Sequence, residues 1–179
     1  MFDPFLAIYD SKGKMLKSAD DTALLGQDSF LSILAPETGS YYVQIRESAY
    51  GGSDACAYRL HLGSFPRPTA VFPAGGKAGE IVSVQFSGDA AGSWYQSIKL
   101  PEKTRDRFGA IAESKDVPAP SPNWMRVSDF RNVEEKSPNR DRAEATDAGE
   151  APVALNGVLT EPRQDDWFSR SEEHTSELQ

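Results

Sequence analysis

Few residues of this chain could act in nucleophilic catalysis. The chain has one cysteine, Cys56, and two histidines, His61 and His174. A serine or cysteine nucleophile needs a nearby base to take its proton. His61 falls on the polar side of an alternating run, which is typical of a surface residue. No motif surrounds Cys56, and we expect this residue to be a small buried hydrophobe. We therefore predict that the chain itself is not an enzyme.

A glycine-rich stretch at residues 75–79 has the composition of a phosphate-binding loop but not its pattern. Such a loop needs Gly-Lys followed by Ser or Thr, between a strand and a helix. Here Ala78 follows Lys77, and the next element has the pattern of a strand. We expect a turn in which the glycines adopt positive φ. The many carboxylates likewise contain no recognisable pair of the kind that glycoside hydrolysis requires.

Three aromatic residues are candidates for a ligand surface. Trp94, Tyr95 and Trp124 could together form a platform for a sugar or a peptide. Packing into the core is the alternative, because large aromatic side chains supply much of the buried apolar area of small domains. The sequence leaves both interpretations open.

Composition excludes several classes of protein. Lys and Arg number 19 against 27 Asp and Glu, which gives a formal charge of −8 and a pI of about 4.8. A nucleic-acid-binding protein needs clustered basic residues, so we expect no nucleic-acid partner. No stretch of 18 apolar residues occurs, so we expect no membrane span. A single cysteine excludes an internal disulfide framework and a four-cysteine zinc site.

The elements that must position these residues have the pattern of β-strands. Apolar and polar residues alternate with a period of two, and turn residues separate the alternating runs. Short strands with regular turns indicate an all-β fold of the β-sandwich class. The predicted strands lie within residues 6–8, 31–33, 41–46, 58–62, 69–72, 82–86, 94–100 and 124–127.

Other stretches interrupt this pattern. Residues 63–79 are rich in Pro and Gly, which predicts a domain junction, and residues 101–123 show no periodicity. Residues 133–152 are polar and charged, which is typical of a linker or an exposed segment. Strand-like sequence returns at residues 153–159 and again at 165–168.

Both ends of the chain are expected to be unnatural. Residues 170–179, Arg-Ser-Glu-Glu-His-Thr-Ser-Glu-Leu-Gln, resemble the in-frame translation of a sequencing adapter. Such artefacts are set aside before the fold is considered. Because the segment carries one arginine and three glutamates, its removal changes the formal charge from −8 to −6. Strand-like sequence begins almost at Met1 and no signal peptide is visible, so we expect a truncated N-terminus.

An ordered set of motifs in residues 1–64 resembles the bacterial pre-peptidase C-terminal domain. The set matches the second half of such a domain, and it covers about a third of the chain. Its pieces are Asp-Pro-x-Leu-x-Ile-Tyr-Asp-x-x-Gly between Asp3 and Gly13, the pair Asp20-Asp21, Asp28-Ser29-x-Leu31, Ala35-Pro36-x-x-Gly39-x-Tyr41-Tyr42-Val43 and Tyr58-x-Leu60.

The segment 133–169 resembles the first half of the same domain. Its matching stretches are residues 135–140, Ala145-Thr146, Leu155-Asn156-Gly157 and residues 164–168. The part between the two halves, residues 65–132, looks like an immunoglobulin-like or IPT/TIG-type unit. The resemblance thus implies a partial jelly-roll-like sandwich, an immunoglobulin-like middle domain and the start of a second sandwich, followed by the adapter-derived residues 170–179.

Calcium is the cofactor that this resemblance implies. Some members of the family bind it through an acidic opening segment and an Asp-x-Asp loop, and the corresponding residues here are Glu135, Asn139 and Asp166. Calcium takes six to eight oxygen ligands. This chain departs from the family pattern, because Ser137 replaces a Glu, Arg140 replaces an Asp, and Gln164 replaces the first Asp of the loop. A second acidic group, Asp20, Asp21 and Asp28, is interpreted as a solvated turn.

The resemblance also implies a function. Such modules flank secreted peptidases or occur in large surface proteins of environmental bacteria, the planctomycete type in particular, and they are not catalytic. We expect a fragment of a metagenomic protein that is secreted, periplasmic or on the cell surface. It would act as a spacer or binding module for a polymeric or protein ligand, beside further domains of its parent. The alternatives are an accessory region of a secreted peptidase and a calcium-stabilised structural repeat.

Overall fold

The computed structural model describes residues 2–22 and 28–171, and within them the chain is all-β. It contains one short 3-10 helix at Arg142–Glu144 and no α-helix in the described part. The predicted all-β, β-sandwich class is confirmed. The strands are β1 (Pro4–Tyr9), β2 (Met15–Ala19), β3 (Tyr42–Glu47), β4 (Ala70–Phe72), β5 (Gly75–Lys77), β6 (Ile81–Ser87), β7 (Trp94–Lys99), β8 (Arg105–Ala110), β9 (Glu113–Ser114), β10 (Val117–Pro118), β11 (Asn123–Ser128), β12 (Arg131–Glu134), β13 (Thr146–Glu150), β14 (Val153–Asn156) and β15 (Phe168–Ser171).

The strands belong to two compact units, each assembled from several segments of the chain. These two units do not test the predicted domain boundaries. The domains at 1–64, 65–132 and 133–169 therefore stay a prediction. The predicted middle domain contributes residues to both units. The first unit comprises Met1–Ala70, Phe86–Gln96 and Ile111–Asn123, and the second comprises Val71–Gln85, Ser97–Ala110 and Trp124–Gln179.

The first unit contains an antiparallel sheet in which β1 lies between β2 and β3. Leu6 and Ala7 of the central strand are buried. The turn after β1 is held by Asp10, whose Oδ1 accepts hydrogen bonds from the backbone N–H groups of Lys12 and Lys14, both at 2.9 Å. Gly13 in this turn has φ of +79°, a conformation that favours glycine.

Alternation along two strands, β6 and β11, places apolar side chains inside. In β6 Val84 and Phe86 are buried, and in β11 Met125 and Val127 are buried while the residues between them are exposed. Successive side chains of a strand point to opposite faces, so this pattern gives each sheet one apolar face. The sheet orders are β4-β6-β7 and β5-β11-β8, and β5 runs parallel to β11.

In the second unit, the last four strands form two parallel pairs. β12 pairs with β14 and β13 pairs with β15. The 3-10 helix between β12 and β13 is capped by Asp141, whose Oδ1 accepts from Ala143 N at 2.7 Å and from Glu144 N at 3.0 Å. β15 includes Arg170 and Ser171, the first two residues of the segment predicted to derive from an adapter, and residues 172–179 with His174 lie outside the described part.

Several predicted elements are wrong. Residues 31–33 and 58–62 alternate in polarity but form no strand, because alternation gives a strand only where a partner strand is available. Residues 133–152, predicted to be a linker or an exposed segment, are mostly exposed, but they contain the 3-10 helix and β13 and so are not an unstructured linker. Among the described residues, no helix is long and apolar enough to cross a membrane.

Candidate functional site

The predicted aromatic platform does not form as a single surface, because its two adjacent members point in opposite directions. Trp94 is directed inward and packs on Phe86, with ring centroids 5.6 Å apart. Tyr95 is directed outward and is 71% exposed. The period of two along β7 imposes this split. Trp94 is therefore half-buried against Phe86, and Tyr95 is the more exposed aromatic residue of this strand.

Trp124 lies on the outward face of β11, in the second unit, where it is 40% exposed. The guanidinium of Arg107, from the neighbouring strand β8, stacks over its ring with 3.9 Å between Arg107 Cζ and the ring centroid. Beside this pair, Arg126 Nη2 forms an ion pair with Asp106 Oδ1 at 3.0 Å. The aromatic candidate is thus part of a surface rich in arginine that the sequence analysis did not identify.

The three calcium candidates lie in one region of the second unit, around the loop between β14 and β15. Oδ2 of Asp166 and Oε2 of Glu135 both approach Gly157, at 2.8 and 3.3 Å from the position that a Cβ would take there. The backbone carbonyl oxygen of Asn139 accepts a hydrogen bond from the backbone N–H of Trp167 at 2.9 Å. The carboxylates of Glu135 and Asp166 therefore lie beside the same glycine, and Asn139 is joined through its backbone to the residue after Asp166.

The side chain of Gln164 occupies the centre of this loop. Its Oε1 accepts from Thr160 N at 2.7 Å, from Thr160 Oγ1 at 3.0 Å and from Glu161 N at 3.2 Å. Its Nε2 donates to Val158 O at 3.2 Å and to Asp166 Oδ1 at 2.8 Å. The amide group therefore bridges acceptors and donors that would otherwise need another partner.

These contacts do not fit a calcium ion. Asp166 Oδ1 is bonded to Gln164, and Glu135 Oε1 accepts from Val158 N at 2.7 Å. Asn139 is 1% exposed, and its Nδ2 has no acceptor among the described residues. Two carboxylate oxygens remain, against the six to eight that calcium takes. Within the described ranges, no three His, Cys, Asp or Glu side chains are grouped to hold a metal.

An open depression adjoins this loop. Its volume is about 570 Å³, and acidic and aromatic side chains share its lining. Asp165 and Trp167 are exposed, and Asp166 and Phe168 are half-buried. The lining residues are Gly157, Leu159, Gln164, Asp165, Asp166, Trp167 and Phe168.

The aspartates of the second acidic group have different neighbours: Asp20 and Asp21 act on Asp3, and Asp28 acts on Arg67. Burial of Asp3, with the negative charges of Asp21, Asp20 and Glu47, raises the pKa of the Asp3 carboxyl above its usual value. Asp20 itself accepts hydrogen bonds from Ser48 Oγ at 2.7 and 2.8 Å. Asp28 instead acts on Arg67: burial lowers the pKa of that guanidinium, and the charge of Asp28 opposes the shift.

Among the described residues, Cys56 and His61 form no hydrogen bond with each other or with a carboxylate. Cys56 is half-buried rather than fully buried, and its Sγ lies 3.6 Å from Ser53 Oγ. His61 is exposed. The glycine-rich stretch forms β5 and the turn after it, and of its glycines only Gly79 has a positive φ. The expectation that all of them serve a turn is therefore wrong, since Gly75 and Gly76 lie in a strand.

Sequence reasoning missed Arg105, Arg107 and Gln164. A run of basic residues between Lys99 and Arg107 in an acidic chain was a usable signal for the first two. For Gln164 the signal was its departure from the family pattern, which was interpreted only as the loss of a ligand. Comparison of the chain with protein-family models, with curated proteins and with solved structures gives no match.

Proposed function

We propose that this chain is a non-catalytic, extracytoplasmic β-sandwich module that acts as a spacer or binding unit within a larger secreted or surface protein of a bacterium. It presents loops and an outward sheet face to a polymeric or protein ligand. The observation that best supports this proposal is the exposure of aromatic side chains on regular strands: Tyr42 of β3 is 61% exposed, Tyr95 of β7 is 71% exposed, and Trp124 of β11 is partly exposed. Tyr and Trp are enriched at binding interfaces, because they combine a large apolar ring with a polar group.

The surroundings of the reactive side chains support the non-catalytic part of the proposal. Cys56 has a serine hydroxyl beside it rather than a base. A thiol becomes a strong nucleophile when a base or a cation favours the thiolate. A neighbouring hydroxyl supplies neither. The contacts around Gln164 likewise support a module whose loop is closed by its own hydrogen bonds.

Sedimentation of the purified chain with insoluble cellulose, chitin and cross-linked pectin tests the proposal. We expect retention on at least one polymer and a clear loss of retention in Tyr95→Ala or Trp124→Ala. Tyr58→Ala is the matched control, because Tyr58 is 65% exposed in a segment without a strand. Retention on no polymer, or an equal loss in the control variant, would contradict a binding role. Release of soluble sugar from any of the polymers would contradict the non-catalytic assignment.

A further inference from the structure

The outward side of β8 and β11 is basic in a protein whose overall charge is −8. β8 begins with three exposed residues, Arg105, Asp106 and Arg107. β11 lies beside β8 in the sheet and exposes Trp124 and Arg126. We call Arg105, Arg107, Trp124 and Arg126 the arginine face.

The charges of the arginine face are only partly neutralised. Asp106 pairs with Arg126, with 3.0 Å between Oδ1 and Nη2. In the part of the chain that the structure describes, the guanidinium groups of Arg105 and Arg107 have neither an ion pair nor a hydrogen bond. Two positive charges therefore remain available, and side chains two positions apart on a strand lie about 7 Å from each other on one face.

The stacking on Trp124 prepares Arg107 for an anion. The guanidinium lies over the ring at 3.9 Å, which fixes its plane. A stacked guanidinium keeps its N–H groups at its edge, where they match the two oxygens of a carboxylate. Because the group is held before binding, less conformational entropy is lost when an anion binds.

We propose that the arginine face binds a polysaccharide that carries carboxylate groups. Its uronate carboxylates bind Arg105 and Arg107, and a sugar ring contacts the exposed part of Trp124. This inference rests on the proposed function, since it names the class of polymer that the module binds. A nucleic acid fits less well, because its affinity grows with the number of phosphates that are neutralised, and the arginine face offers only Arg105 and Arg107 without an ion pair or hydrogen bond among the described residues.

The test is binding of the whole chain to alginate, measured by affinity electrophoresis at low salt and at about 150 mM salt. We expect Arg107→Gln to weaken binding about tenfold, since a charge-assisted hydrogen-bonded contact is lost. Arg107→Lys keeps the charge without the planar fork, and we expect it to restore binding only in part. Arg59→Gln is the matched control, because Arg59 is an exposed arginine of the other unit. Thermal melts of each variant separate loss of binding from loss of the fold.

The outcomes separate this inference from the proposed function. Alginate binding that is unchanged in both Arg105→Gln and Arg107→Gln would overturn the arginine face. Binding to neutral cellulose or chitin alone would overturn it too, and would leave the module a binding unit. Tighter binding to single-stranded DNA, or to vesicles of anionic lipid, would replace the polysaccharide with another partner. Absence of binding to any polymer would overturn both proposals.

Discussion

At the scale of single residues, the amide of Gln164 determines how the loop between β14 and β15 is held. Its five hydrogen bonds join Thr160, Glu161, Val158 and Asp166. We expect Gln164→Ala to lower the free energy of unfolding by about 1–2 kcal/mol, because water replaces part of these bonds at a half-buried site. Chemical denaturation measures the change. Glu161→Ala, which removes an exposed side chain of the same loop, should change stability little, and equal losses in both variants would contradict the role of the amide.

The same contacts predict that the protein does not depend on calcium. One carboxylate oxygen of Asp166 and one of Glu135 already accept N–H groups of the chain. A bound ion would stabilise the folded state in proportion to the logarithm of its concentration over its dissociation constant. We therefore expect equal melting temperatures in excess calcium and in excess chelator. A melting temperature that rises with calcium would show that the loop rearranges to admit the ion.

A third prediction at this scale concerns Asp3 and pH. Burial and the charges of Asp21, Asp20 and Glu47 raise the pKa of its carboxyl in the folded protein. The folded state then binds more protons than the unfolded state between the two pKa values, so stability contributed by protonated Asp3 is lost as the pH rises through that window. We expect Asp3→Asn to raise the melting temperature at pH 7 and to give a smaller gain as the pH falls toward about 4. Asp54→Asn, at an exposed position, should give no such pattern.

At the scale of elements, β5 depends on the absence of side chains at two positions. A Cβ at Gly75 would overlap the carbonyl oxygen of Arg126, and one at Gly76 would overlap Leu100 Cδ1 and approach Val82 Cγ2 within 2.8 Å. We expect Gly76→Ala to destabilise the protein by about 2 kcal/mol through overpacking. Gly52→Ala is the control, because no atom lies within 4 Å of its Cβ position. An equal loss of stability in both variants, measured by the denaturant midpoint, would contradict the role of close packing at Gly76.

The strands show what could be predicted from sequence and what could not. Alternation identified β3, β6 and β11, because along most of each strand every second side chain is less exposed than the side chains beside it. It missed β8, because the first half of that strand, Arg105 to Arg107, is charged and exposed and so shows no apolar alternation. The period of two was already sufficient to separate Trp94 from Tyr95. The resemblance located Glu135 and Asp166 at one loop, but a motif cannot show that Gln164 already binds the acceptors there.

At the scale of the whole molecule, the charge of −8 opposes association while exposed apolar side chains favour it. Leu159 is 65% exposed and lines the same depression as Trp167 and Phe168. Salt screens the repulsion between like-charged molecules and leaves the apolar attraction in place. We therefore expect the average mass in sedimentation velocity to rise with protein concentration, and to rise further at higher salt.

Leu159→Lys should reduce this association, while Leu34→Lys, at a similarly exposed leucine of the other unit, should reduce it less. A mass that stays at that of the monomer under all these conditions would show that the depression does not take part in self-association.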